Sequence, residues 1–236
     1  MKQLLILVIG LFISECVFAQ INLDKMKSVL NRSQVSAEEV GGGLKEALTV
    51  GISKGADQVA QADGFYKNSA IRLPFPPEAR KAEEKLRRLG MGAEVDRFVL
   101  SLNRAAEDAA GEAKPDFLSA IKQMTIQDAW SILQGPDDAA TQYLDRTTSS
   151  QLNEKFKPVI QTALSKTNAS QHYANLINLY NKIPLVQKMN PDLDEYATRK
   201  TIEGLFIIIA KEEKNIRENP AARTSDLLKK VFSAQK

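Results

Sequence analysis

The chain has 236 residues, 32 of them basic and 29 acidic, for a formal net charge of +3, with low aromatic content and one histidine. Charges of both signs are spread along the sequence, which excludes the concentrated basic stripe expected of a nucleic-acid binder. A chain near this length buries roughly 70% of its unfolded surface, enough for a substantial core.

Residues 1–19 read as a signal peptide. Lys2 supplies the positive charge, residues 4–13 the apolar stretch, and Val17, Phe18 and Ala19 a small-x-small cleavage pattern. Cleavage after Ala19 leaves Gln20 as the first residue and predicts a periplasmic protein. A rival reading makes Cys16 the lipidated residue of a lipoprotein signal. Such signals need a small residue before the cysteine, and Glu15 stands there. Cys16 is the only cysteine, so ordinary cleavage leaves no disulfide, thiol nucleophile or cysteine-ligated metal site. Residues 20–35 carry a weak helical pattern and read as a mobile arm ahead of one helical domain, 36–236.

Ser36 with Glu39 fits a capping box. The helix it opens carries Val40, Leu44, Ala47, Leu48, Ile52 and Val59 at helical spacing. The glycines at 41–43 and Gly51 weaken that helix by about 1 kcal/mol each. No Lys-Ser/Thr ending follows the glycine run, so close packing or a flexible helix start is the better reading than a phosphate loop. Asp63 and Gly64 stop the helix. Residues 65–77 then form the longest non-helical stretch, held open by Pro74, Pro76 and Pro77.

Pro77 suits the first position of a helix bearing Ala79, Ala82, Leu86 and Leu89 and ending at Gly90. Val95, Phe98, Val99, Leu102, Ala105, Ala106 and Ala109 make one continuous stripe on the next helix. Beside that stripe, Asn103 is placed to bridge two helices and Arg104 to point into solvent. Pro115 starts a helix with Phe117, Leu118, Ile121 and Met124. Thr125 and Asp128 cap another with Ile126, Ala129, Trp130 and Leu133, and Trp130 reads as a core residue.

Asp137 and Asp138 lie where a helix start favours negative charge. Thr148 and Gln151 are expected to cap a helix containing Leu152, Phe156 and Ile160, which Pro158 should kink or split. Tyr173, Leu176, Ile177 and Tyr180 form a short helix closed by Ile183 and Pro184. The stretch 192–219 is the expected hub. Ile202, Leu205, Phe206, Ile209 and Ile216 share one side, and Ile207 and Ile208 carry apolar surface to the other, which predicts a helix buried all round. A last amphipathic helix with Leu227, Leu228, Val231 and Phe232 follows Pro220. No segment alternates as a strand would. The expectation is all-α: a single compact multi-helix domain around a buried C-terminal hub helix.

Little points to chemistry. His172 alone cannot complete a pair of Glu-x-x-His motifs, and no G-x-S-x-G elbow accompanies it. Glu212 and Glu213 could act as acid and base or hold a cation, but adjacent helix positions point about 100° apart. Solvated ion pairs, Glu213 with Arg217 and Lys214 with Glu218, are the expected arrangement.

The blocks DGFYKNSAIRLPFP, LSLNRAAEDA, AIKQMTIQDAWSILQGPDDAATQYL and GLFIIIAKEEKNIRENPAARTSDLLKKVF resemble domain-of-unknown-function family 4197 of bacterial exported proteins, over roughly 44–232. The resemblance implies a signal peptide, one helical domain and an envelope location, and it supplies no functional residues. Two function classes stay open. One is a non-catalytic periplasmic binding or interaction scaffold for an envelope protein, peptide or small amphiphile. The other is a hydrolytic or cation-dependent enzyme working through carboxylates. No cofactor, metal or catalytic residue is assigned. Partner-binding candidates lie in the long connection at 64–77: Arg72 for an anionic group, with Tyr66 and Phe75 beside it. That connection is either a strap covering core, with Arg72 paired to a neighbouring acid, or a ligand lid.

Overall fold

The computed structural model describes residues 36–219 together with Ala222 and Lys229. The signal peptide, the N-terminal arm and the helix after Pro220, all expected from the sequence, fall on residues outside those described, Lys229 excepted. Eight α-helices are present among them: α1 (Ala37–Val59), α2 (Arg80–Arg88), α3 (Gly92–Ala110), α4 (Lys114–Gln123), α5 (Ile126–Gln134), α6 (Ala139–Lys166), α7 (Ala169–Asn181) and α8 (Asp194–Glu218). Short 3-10 turns at Pro77–Ala79 and Gly111–Ala113 lead into α2 and α4. The fold is all-α, and no described helix is long and apolar enough to cross a membrane.

Local signals set several boundaries. Ser36 and Glu39 form the capping box of α1, with Ser36 N–H donating to Glu39 Oε2 at 2.7 Å and Glu39 N–H to Ser36 Oγ at 3.1 Å. Thr125 and Asp128 repeat that arrangement at α5. Gly90, at φ 88°, closes α2 in the left-handed region that glycine reaches without strain. The predicted stripe of α3 is buried throughout, from Val95 to Ala109.

The hub packs against α1, α3 and α6. Its contact with α1 is close because Gly51 and Gly55 face it: a Cβ at Gly51 would lie 2.9 Å from Ile216 Cδ1, and one at Gly55 3.0 Å from Ile208 Cγ2. The expectation of burial on all sides fails at one stripe. Ile208 and Ile209 are each 4% exposed, but Ile207 is 40% exposed and Phe206 only partly covered. The apolar arc is wide because three helices cover it, and Ile207 falls outside that arc.

Three further expectations are corrected. Pro158 does not split its helix in two: α6, 28 residues long, continues past it. The proline and Glu154, whose carbonyl loses a donor, are both on the exposed face, so water can take the vacant bond. Thr148 is consequently mid-helix, with its hydroxyl donating to Leu144 O at 2.6 Å. Glu213 does pair with Arg217, at 2.9 Å, but the pair is buried rather than solvated. Its carboxylate accepts the N–H groups of Ala140 and Thr141, both at 2.9 Å, and so caps α6 from α8. Asp138, at the N-cap position, makes no side-chain cap bond.

Candidate functional site

The long connection after α1 is laid across the helices by its own apolar residues. Phe65, Ile71, Leu73 and Phe75 are all buried. Polar backbone that enters a core needs partners, and α3 supplies them. Glu107 Oε1 accepts the N–H groups of Phe65 and Tyr66 at 3.0 and 3.1 Å. Asn103, fully buried, accepts from Leu73 N–H at 2.9 Å and donates to Leu73 O and Val99 O at 2.8 Å. Asn103 therefore joins a helix to the strap rather than two helices. Arg104 is not freely solvated as expected: it donates to Glu107 Oε2 and Asp63 Oδ1, both at 2.6 Å. Hydrogen bonds from Lys67 and Arg104 hold the Asp63 carboxyl below the usual aspartate range.

The three candidate residues of this segment separate. Tyr66 is half-buried, with the Arg72 guanidinium 4.7 Å and that of Arg104 5.9 Å from its ring centre. Arg72 is exposed; its guanidinium lies over this ring, and no acid among the described residues pairs with it. Phe75 turns inward, 5.2 Å from Phe98 and 5.6 Å from Tyr173 between ring centres.

Phe75 leads to a concavity through its contact with Tyr173. Beyond it opens a cleft of about 990 Å³, floored by Tyr173, Tyr180 and Tyr196. Its walls come from Pro76 and Pro77 of the strap, the Lys81–Lys85 side of α2, residues 185–190, and the first turns of α8 with Arg199. Tyr66 and Arg72 do not line it. Tyr173 stacks on Phe98 at 5.0 Å, and burial pushes its hydroxyl up to about 12. Burial also raises Tyr196, whose hydroxyl donates to Pro74 O at 3.0 Å and so ties α8 to the strap.

Asn181 fixes the 182–193 wall by donating to Met189 O and accepting from Met189 N–H, both at 2.9 Å. Leu185 stands at the lip, fully exposed and with φ 63°. Sequence reasoning placed Tyr173 and Tyr180 on a core face and missed this cleft. The available signal was a second long connection, bracketed by Pro184 and Pro191, between two clear helices.

The buried carboxylates lie elsewhere and are engaged. Glu107 holds the strap and Glu213 caps α6, each through two backbone N–H groups. Glu212 pairs with Lys54 at 3.0 Å. His172 is half-buried on α7 and outside the cleft lining. Trp130 is 2% exposed, a core residue whose indole N–H has no partner among the described residues.

No curated protein and no solved structure matches the chain. A family model described as protein of unknown function (DUF4197) matches residues 34–233, taking in all eight helices, and the chain belongs to that family.

Proposed function

We propose that this chain is an exported, non-catalytic binding scaffold of the bacterial envelope, and that the tyrosine-floored cleft is where it takes its partner. The cleft carries the reading. It is concave, walled by four different elements, and combines a fixed aromatic floor with an exposed charged rim, as binding sites for specific partners do. Burial of Glu107 and Glu213 in structural hydrogen bonds argues against the carboxylate-enzyme alternative, since neither is free to move a proton. In this reading Phe75 supports the floor from behind, while Tyr66 and Arg72 offer a separate exposed contact on the same strap. Ordinary secretion predicts cleavage after Ala19, and intact-mass analysis of envelope protein tests that site: a chain starting at Gln20 is expected, and an acylated Cys16 overturns it in favour of a lipoprotein.

Binding at the cleft is tested by photo-crosslinking in the intact envelope. A photoreactive residue in place of Lys81, on the cleft wall, is expected to give a discrete adduct. The same residue in place of Lys157, exposed on α6 and outside the cleft, is expected to give none. Equal adducts at both positions, or none at Lys81, sink the assignment.

A further inference from the structure

We infer that the cleft takes a short acidic peptide segment bearing aromatic or aliphatic side chains, paired by its main chain to residues 186–190. This rests on the binding-scaffold reading above and names its ligand class. The first support is backbone chemistry. Residues 186–190 have no regular secondary structure, and the N–H groups of Val186, Gln187, Lys188 and Asn190 make no hydrogen bond within the described residues. The Asn181 clamp on Met189 spends that residue's N–H and C=O and holds the segment against the cleft, while Val186, Lys188 and Asn190, the alternate positions, keep a row of main-chain groups with no partner among the described residues. Such a row is matched by another peptide backbone, the basis of recognition by strand addition. Fully extended, five residues at about 3.3 Å each would span about 17 Å, the most that a paired peptide could match.

The floor supplies side-chain recognition. Tyr173 is held by Phe98 and Phe75, and Tyr196 by its bond to Pro74 O, so these rings are ordered before any ligand arrives. Ordered aromatic surface is what anchors buried side chains at interfaces. Charge then selects the sign of the ligand. Five basic residues line the cleft against three acidic ones, Glu78, Asp192 and Glu195. Arg80 pairs with Glu84 at 3.7 Å. Lys81, Lys85, Lys188 and Arg199 are exposed and make no ion pair among the described residues. Four unpaired cations around a concave aromatic floor favour carboxylates and steer them in.

Leu185, exposed beside lysines, is the feature a bilayer would use. The concavity and the three rim acids oppose a flat anionic surface, so the peptide is the better match.

Fluorescence anisotropy on the full mature chain decides between them. The probe is a labelled six-residue peptide alternating glutamate with tyrosine and leucine. We expect it to bind, and binding to weaken about tenfold or more in the Lys81→Glu/Lys85→Glu double variant, whose melting should be unchanged because both side chains are exposed. A peptide with N-methylated backbone should bind about tenfold or more weakly if the 186–190 wall pairs with main chain. Equal binding of a peptide with lysine for glutamate overturns the acidic class. Equal binding of the N-methylated peptide overturns main-chain pairing. Binding to phosphatidylglycerol vesicles that Leu185→Asp abolishes, with no peptide binding, overturns the proposal in favour of a lipid surface. If no probe binds while the Lys81 adduct forms, the ligand class is wrong and the scaffold reading stands; loss of the adduct as well removes both.

Discussion

At the scale of single residues, the decisive side chains are acids and tyrosines whose surroundings come from distant parts of the chain. Glu213 is 4% exposed, and its carboxylate accepts from Ala140 N–H, from both Thr141 N–H and its hydroxyl, and from Arg217. It thereby places negative charge on the positive end of α6. Glu213→Ala removes the carboxylate that Arg217 meets in the core and leaves two helix N–H groups uncapped. The expected loss is about 3–5 kcal/mol, read by denaturant unfolding. A change under 1 kcal/mol, on the order of an exposed pair, would show the site to be solvated.

The tyrosines give a pH dependence. Tyr173 is raised from 10.0 to about 12 by burial, so the unfolded chain releases that proton first. Its contribution is intact below pH 10.0 and is lost as pH rises toward about 12. Tyr196 shifts in the same direction. Spectrophotometric titration is expected to show these two phenolates appearing only at strongly alkaline pH or together with unfolding. Ionisation of every tyrosine near pH 10.0 in the native fold would contradict the floor geometry.

At the scale of elements, the hub helix shows why a small residue or a face matters. A Cβ on Gly204 would stand 2.7 Å from Phe65 Cε1, and Phe65 is fully buried. Gly204→Ala gains about 1 kcal/mol of helix propensity, but overpacking a rigid ring costs about 1–3 kcal/mol. Net destabilisation and a lower Tm are expected. Gly51→Ala meets only the movable end of Ile216 and should be milder. The two isoleucines separate more sharply. Ile208→Asp buries a charge and should cost several kcal/mol, whereas Ile207→Asp, at a position 40% exposed, should stay within about 1 kcal/mol. Equal losses in calorimetry would mean that the helix is enclosed on all sides.

At the scale of the whole molecule, the strap joins the core to the cleft. Phe75→Ala removes a ring packed against both Phe98 and Tyr173 and is expected to cost about 3–5 kcal/mol, with cleft binding lost only in step with unfolding. Arg72→Ala removes an exposed side chain over Tyr66 and should leave the melting temperature almost unchanged. Native melting of Phe75→Ala with abolished binding would make the segment a lid.

The sequence by itself determined what depends on neighbours within a turn or two of helix. That covers the all-α class, the capping boxes at Ser36 and Thr125, the Gly90 stop, the buried stripe of α3 and the open connection at 64–77. Helical periodicity and capping chemistry act over three or four residues, so they are legible locally. Tertiary structure alone decided which groups Glu107, Asn103 and Glu213 serve, because their partners lie 42, 30 and 73 residues away. It also decided that Pro158 is tolerated, since the vacant carbonyl falls on the solvent face, and that Ile207 escapes burial, since coverage depends on how many helices surround the hub. Of the site, only the strap could be read from the sequence. The cleft is made where strap, α2, α7, α8 and the 182–193 connection meet, and a concavity shared by five segments leaves no pattern in any one of them.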